Sequence, residues 1–295
     1  MSFWSYTKKV IKKYVIDEID KNDRREQKPV ASSFIPGNHR LLLPFLLPIP
    51  EKNQPPWNVI RSRKKVIARI SAEGDSTRTS SQPSLRIDYA PGKVGSCSGF
   101  GLFAAPQHAF PSISATFSYK VYIGNDFDWV RGGKLPGLFI GSPGASGGNW
   151  EANAGSVRVV WQRKGIACLY VYIPLQVSTS GTKEGALQAQ SVEFRDCCHM
   201  TKKGCHLWHT GPLTFTKGAW NDVSISLTLN HIGSHDGSVQ LTVNDRSVSC
   251  SGLTWRSQPH LQIGGVSIQT FYGGSSPEAA VPSCGSYLKF REFTV

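Results

Sequence analysis

The sequence has few charged residues and no long apolar run. Only 18% of its 295 residues are charged, whereas it contains 29 glycines, 18 prolines and 11% aromatic residues. Such a composition favours many short strands and tight turns over a helical protein. The run 41–47 is too short and too interrupted by proline to cross a bilayer, and the first residues lack the apolar segment of a secretory signal. We therefore expect an all-β core and no membrane contact.

Acidic residues are also scarce. The chain carries 33 Lys or Arg against 20 Asp or Glu, a formal charge of +13. Residues 1–70 hold 15 basic and 6 acidic residues, so +9 of this excess lies in the N-terminal part. Such a segment attracts polyanions in a salt-dependent way. Because aromatic residues are sparse there, nucleic-acid binding is not expected as the main function, although a wall-anchoring or packaging tail fits the charge.

The chain divides into three parts by composition. Residues 1–28 are basic and contain, over 3–20, apolar residues at roughly helical spacing. Residues 29–65 are rich in proline and predict an extended linker. From residue 66 to 295, short apolar or alternating runs are separated by Gly, Ser, Pro and Asn, which predicts a two-sheet jelly roll. The predicted strands are 66–70, 85–89, 113–123, 138–140, 223–229, 238–243, 261–271 and 287–295.

The run Gly155–Pro174 predicts a β-hairpin whose register follows from its turn. If residues 163–165 form the turn, Gly165 supplies the positive φ that the loop needs and Gln162 faces Ile166. Side chains alternate along each strand, so one face is wholly apolar and must be buried. That face consists of Val157, Val159, Trp161, Ala167, Leu169, Val171 and Ile173. The other face carries Ser156 opposite Tyr172 and Arg158 opposite Tyr170, a set that suits an acidic sugar.

Three segments carry a resemblance to a known family. They are Phe127-Asp-Trp-Val-Arg-Gly-Gly-Lys-Leu-Pro-Gly-Leu-Phe139, Gly155–Pro174 and Phe271-Tyr-Gly-Gly274. Over residues 85–295 the chain resembles the fourteenth family of polysaccharide lyases, and most of all its members from viruses that infect Chlorella algae. The resemblance implies a glove-shaped β jelly roll that cleaves polyuronates, such as alginate or polyglucuronate, by β-elimination without a metal or other cofactor. The functional residues that it implies are Lys134, Ser156, Arg158, Tyr170 and Tyr172.

These residue types fit the requirements of β-elimination. The C5 proton of a uronate is hard to remove because the adjacent carboxylate is already negative, so the enzyme must neutralise that carboxylate. Arg158 can bind both carboxylate oxygens, with Lys134 either assisting it or acting as the base. Tyr170 or Tyr172 is expected to accept the C5 proton and return it to the leaving O4. Phenols and ammonium groups titrate near pH 10, which predicts an alkaline optimum.

Other residues are assigned to binding or to structure. Ser156 is expected to orient the substrate, since no Gly-x-Ser-x-Gly elbow surrounds it. Tyr272 is a candidate for stacking on a sugar, as are Trp129 and Trp150, although packing is the commoner role of tryptophan. Cys168 falls on the polar face beside Tyr170 and is interpreted as a packing residue.

The segment 176–211 departs from the strand pattern and predicts a long excursion from the sheet. It contains a dense group of possible metal ligands or disulfide partners, namely Cys197, Cys198, His199, Cys205, His206 and His209. Zinc is one interpretation, but the spacing matches no common finger. We favour disulfides or thiols, with Cys97, Cys205, Cys250 and Cys284 as possible partners of the adjacent pair.

The leading hypothesis is a polyuronate lyase, expected to act as a monomer. The alternative is a lectin-like module that binds acidic polysaccharide without turnover, but two phenols beside the scissile bond favour the enzyme. The resemblance suggests packaging in a virion or action on an algal cell wall. The residues leave open which uronate is preferred and whether cutting is endo or exo.

Overall fold

The computed structural model describes residues 57–62, 68–71, 84–106, 108–200, 205–207, 213–274, 280–281 and 286–295. Within these ranges the chain forms two antiparallel sheets. The nine-stranded sheet contains β1 (Trp57–Ser62), β4 (Phe100–Pro106), β6 (Gly133–Gly141), β7 (Ala154–Trp161), β8 (Ile166–Tyr172), β9 (Cys198–Met200), β10 (Cys205–Leu207), β11 (Leu213–Thr214) and β15 (Ile263–Tyr272). The seven-stranded sheet contains β2 (Ala68–Ser71), β3 (Ser84–Asp88), β5 (Ser114–Ile123), β12 (Trp220–Thr228), β13 (Gly237–Val243), β14 (Arg246–Leu253) and β16 (Tyr287–Thr294).

The order of strands brings distant parts of the chain together. The nine-stranded sheet runs β1-β4-β15-β6-β7-β8-β10-β9, with β11 also paired to β8, and the other runs β14-β13-β12-β5-β16-β3-β2. Strands β6, β7 and β8 therefore lie in the middle of their sheet, with β15 beside β6. This arrangement confirms the predicted all-β jelly roll.

The hairpin of β7 and β8 has the predicted register. Ser156 pairs with Tyr172 and Arg158 with Tyr170. The backbone N–H of Gln162 donates a hydrogen bond to the backbone carbonyl of Ile166 at 2.8 Å. The turn uses two left-handed residues, because Lys164 (φ 62°) shares that conformation with Gly165 (φ 76°). The predicted apolar face lies wholly in the core between the sheets.

Aromatic residues fill the core beneath this hairpin. Trp161 packs edge-on against Tyr272, with ring centroids 5.4 Å apart, and against Phe127 at 5.5 Å. From the seven-stranded sheet, the Tyr119 hydroxyl donates to the carbonyl of Pro136 in β6 at 3.3 Å. Large apolar side chains from both sheets thus fix the strands that carry the polar face.

The excursion 176–211 contains two short helices that the strand pattern did not predict. They are α1 (Lys183–Gln188) and α2 (Val192–Cys197), capped by Thr182 and Ser191. Each cap hydroxyl accepts a hydrogen bond from the backbone amide three residues on, as in typical N-caps. Neither helix, nor any other in the part of the chain described, is long and apolar enough to span a bilayer.

Several predicted boundaries can be compared with the strands. β1 lies inside the range 29–65 that was predicted as linker and pairs with β4, because Trp57-Asn-Val-Ile follows Pro56 as a short apolar run. Strands β4 and β14 were not predicted. The proposed helix over residues 3–20 falls outside the described residues, and the division at residue 65 stays a prediction.

Candidate active site

The site lies on the face of β6, β7, β8 and β15 that points away from the core. Side chains alternate, so Val157 and Val159 enter the core while Ser156 and Arg158 point to the opposite face. One row of paired residues crosses the four strands in the order Ser267, Gly137, Arg158 and Tyr170. Arg158 and Tyr170 are therefore direct neighbours on this face. Tyr172 lies two residues further along β8 on the same face, opposite Ser156.

Arg158 is held within the site rather than extended into water. Its side chain is only 1% exposed, and its Nη1 donates to Oε1 of Gln269 at 2.6 Å. Gln269 belongs to β15, two strands away, and Gly137 lies in the strand between them. The guanidinium is thus fixed at the floor of the site, with the planar donor set that a carboxylate binds best.

The two phenols form a connected pair. The rings of Tyr170 and Tyr172 meet edge to face with centroids 5.5 Å apart. Tyr172 is hydrogen-bonded to Tyr170 and accepts a hydrogen bond from the Gly148 amide at 2.9 Å. Burial, and then the neighbouring Tyr170, raise the pKa of Tyr172 well above the usual phenol value. Tyr172 therefore remains a neutral hydrogen-bond donor throughout the ordinary working range of pH.

Lys134 stands over these rings. Its Nζ lies 5.0 Å from the ring centre of Tyr170 and 5.7 Å from the rings of Tyr172 and Phe271. It also donates to the Ser146 hydroxyl at 3.3 Å. An ammonium group among three aromatic faces is held by cation–π attraction while it remains charged. The Lys134 ammonium group thus places a positive charge directly beside the Tyr170 and Tyr172 side chains.

Local backbone features bring Lys134 to this position. The pairing of β6 with β7 shifts between Lys134 and Gly137, so Pro136 occupies an irregularity where it needs to donate no ladder hydrogen bond. A Cβ on Gly133 would lie 2.1 Å from the Trp161 ring, and Gly132 has φ 117°. The glycine pair therefore allows the backbone of β6 to pass close to Trp161 of β7.

The loop between β6 and β7 (residues 142–153) covers one end of the site. Ser156 donates to the carbonyl of Ala145 at 2.7 Å, and Trp150 packs against Tyr172 with ring centroids 5.2 Å apart. The same loop supplies Ser146 and Gly148 to Lys134 and Tyr172. Its contacts place Ser156 as a support for the loop at the edge of the site.

The prediction for Tyr272 is wrong. Tyr272 is fully buried in the core, and its hydroxyl donates to the Asp128 carbonyl at 2.6 Å. The cause is alternation, since Phe271 pairs with Lys134 and points to the site, which turns Tyr272 to the other face. The residue of that motif which reaches the site is Phe271.

The remaining candidates lie at the margin or elsewhere. Cys168 borders the polar face as predicted, accepts a hydrogen bond from Gln162 at 3.4 Å, and has its pKa raised to about 12 by burial, so it is not a thiolate nucleophile. Trp129 packs against Phe215, outside the site. Cys198 is disulfide-bonded.

Sequence reasoning missed Gln269, Phe271, Ser146 and Gly148. The first two could have been found by alternation, because they share a strand face two residues apart. The two loop residues carry no signal in the sequence, since their contacts depend on how the loop folds.

Comparison with known proteins identifies a family to which the sequence matches and solved structures with a similar fold. Residues 77–293 match the model of the family described as Polysaccharide lyase 14. The chain is 24% identical over 198 residues to Exolysin of Paramecium bursaria Chlorella virus 1, a match that covers 62% of this chain and 29% of that protein. The chain thus spans less than a third of this curated relative.

Two solved structures share the fold over most of their length. One is a marine PL-14 alginate lyase from Aplysia kurodai, with 30% identity, a TM-score of 0.62, and coverage of 77% of this chain and 85% of that one. The other is an alginate lyase from Chlorella virus, with 21% identity, a TM-score of 0.61, and coverage of 80% and 91%. Because its identity is only 21%, the second structure shows that the fold is shared and nothing beyond the fold.

Proposed function

Because the chain belongs to the polysaccharide lyase 14 family, we propose that it cleaves 4-linked polyuronates by β-elimination and leaves an unsaturated uronate at the new chain end. The observation that carries the proposal is the meeting of Lys134, Arg158, Tyr170 and Tyr172 on one face of the central strands. The likeness to an alginate lyase from Aplysia kurodai at 30% identity supports an acidic polysaccharide as substrate.

Arg158 is assigned to the substrate carboxylate. When the C5 proton leaves, negative charge builds up on that carboxylate, and a fixed guanidinium in a buried site stabilises it strongly. Burial and the contact with Gln269 hold Arg158 in place before the substrate arrives. Lys134 supplies the second positive charge and stabilises the phenolate form of Tyr170, which takes the C5 proton and is regenerated when that proton passes to O4.

Tyr170 is assigned to the proton transfer. In β-mannuronate and β-glucuronate the C5 hydrogen and O4 lie on the same side, so one group can take the proton from C5 and return it to O4. Tyr170 is the more exposed phenol, 8% against 1% for Tyr172, and it lies nearer to Lys134. Tyr172 remains neutral and supports Tyr170 through their hydrogen bond. This division of roles follows the general requirement for one base with a positioned partner.

The test is ultraviolet absorbance during incubation with polymannuronate, polyglucuronate and polyguluronate at neutral and alkaline pH. Elimination creates a conjugated double bond, whereas hydrolysis does not. We expect absorbance to rise with the first two polymers and not to rise with Lys134→Ala. Tight binding of the polymers without any rise would instead indicate the lectin-like module.

We further propose that the catalytic unit is a monomer and that the basic N-terminal segment retains the enzyme on anionic wall polymers. Light scattering on the purified chain tests the first statement. Salt-dependent retention on an insoluble wall preparation, with and without the segment, tests the second.

A further inference from the structure

Gln269 is buried beside the catalytic face and only one of its two polar atoms has a known role. Its side chain is 1% exposed, and Oε1 accepts the hydrogen bond from Arg158 Nη1 at 2.6 Å. Its amide nitrogen Nε2 has no hydrogen-bond partner among the residues that the structure describes. A buried amide donor without a partner costs stability, and a ligand that accepts a hydrogen bond from Nε2 would offset that cost.

The direction of this group follows from the sheet. Phe271, two residues along β15, contacts the Lys134 ammonium, so Gln269 points to the same side as Lys134. Gly137 lies in the strand between Gln269 and Arg158 and has no side chain on that side. Arg158 can therefore lie across the intervening strand to reach Gln269.

We propose that Gln269 is a second ligand of the uronate carboxylate, which it binds through Nε2 while its Oε1 positions Arg158. This inference rests on the proposed function, because it names a further substrate-binding residue of the same site. A carboxylate accepts hydrogen bonds through both oxygens, and the guanidinium and the amide would each donate to it.

The neutral amide is essential to this role. A Glu at the same position would accept from Arg158 equally well, but it would neutralise the guanidinium and repel the substrate carboxylate. Glutamine holds the guanidinium while leaving its charge available to the substrate, and it adds a donor of its own.

The test compares Gln269→Met and Gln269→Glu with wild type and with Thr270→Val. The Met variant keeps the length of the side chain without hydrogen bonding. The Glu variant keeps the contact with Arg158. Thr270→Val is the matched control, because Thr270 is buried one residue away and its hydroxyl bonds Tyr89 on the core side.

Three quantities are measured for each protein: kcat and KM on polymannuronate or polyglucuronate, the melting temperature, and the dissociation constants of a saturated oligouronate and of its methyl ester. We expect Gln269→Met to lose about 10- to 100-fold in kcat/KM, the size of a hydrogen bond to a charged group. The preference for the acid over the ester should shrink by a similar factor. Gln269→Glu should abolish that preference while melting no lower than wild type, whereas Thr270→Val should keep it.

A Met variant with wild-type kcat/KM and an unchanged acid-over-ester preference would overturn the proposal. If Gln269→Met does not fold, the Glu variant decides instead, because an unchanged acid-over-ester preference in Gln269→Glu would overturn the proposal. Failure of the proposed function is recognised separately, because wild type would then form no unsaturated product from any polyuronate.

Discussion

Replacing each of the two site tyrosines by phenylalanine should separate catalysis from stability. In Tyr172→Phe the Gly148 amide loses its acceptor at 2.9 Å, and the bond between the two phenols is lost as well. Two lost hydrogen bonds of about 1 kcal/mol each lower the free energy of unfolding by roughly 2 kcal/mol. For a domain of this size the melting temperature should fall by about 4 to 8 °C.

The variant Tyr170→Phe removes the proposed base and only one of these two hydrogen bonds. Turnover should fall by about 100- to 10,000-fold, the usual contribution of general acid–base catalysis. Its stability should change by only about 1 kcal/mol. Turnover of Tyr172→Phe should fall by only about 10-fold, because that variant loses a support of the base and not the base itself.

The assay is the initial rate of absorbance increase on polymannuronate, combined with thermal unfolding of each protein. Tyr89→Phe serves as the control, since Tyr89 is buried in the core and bonds Thr270 away from the site. It should lose stability and keep turnover. If Tyr172→Phe proves the slower enzyme of the pair, the two roles are exchanged and the assignment of Tyr170 is refuted.

Three further predictions concern pH, charge and the N-terminal part. Burial raises the folded-state pKa of Tyr89, Tyr119 and Tyr172 above the unfolded value near 10, so the unfolded chain loses these protons first. Below about pH 10 these tyrosines make their full contribution to the free energy of unfolding. Above that pH the free energy of unfolding falls by up to about 1.4 kcal/mol per pH unit for each tyrosine. Denaturant titrations from about pH 8 to 11 measure this fall. Arg158→Lys should lower kcat/KM about 100-fold with little change in melting temperature, because a point charge replaces the planar donor set; retention of half the activity would contradict this. Deleting residues 1–56, which spares β1, should leave kcat on soluble polymer unchanged, and a large loss would show that the segment takes part in turnover.

The hairpin was predictable because two simple rules act together on it. A period of two assigns each side chain to a face, and a turn of three residues sets the register, so the neighbours of Arg158 followed from the sequence. Lys134 came from the family motif alone. Its approach to the phenols depends on the irregular pairing before Gly137, which no local pattern reveals.

Other parts of the site required the structure. Tyr272 was assigned to the substrate because it stands in a family motif, yet alternation gives Phe271 to the site and Tyr272 to the core. Alternation alone would assign Gln269 to the face of Phe271, but its contact with Arg158 two strands away is visible only in the structure. Strand β4 was missed because its sequence, Phe-Gly-Leu-Phe-Ala-Ala-Pro, mixes strand formers with glycine and alanine.

The central place of β6, β7 and β8 in the nine-stranded sheet has a consequence for behaviour on heating. Strands that are hydrogen-bonded on both sides and packed on a core exchange their amide hydrogens only when the whole domain opens. Lys134, Arg158 and the proposed base Tyr170 are attached to these strands, so they cannot separate while the domain is folded. Activity should therefore persist up to the melting transition and vanish together with it, rather than fade at lower temperatures.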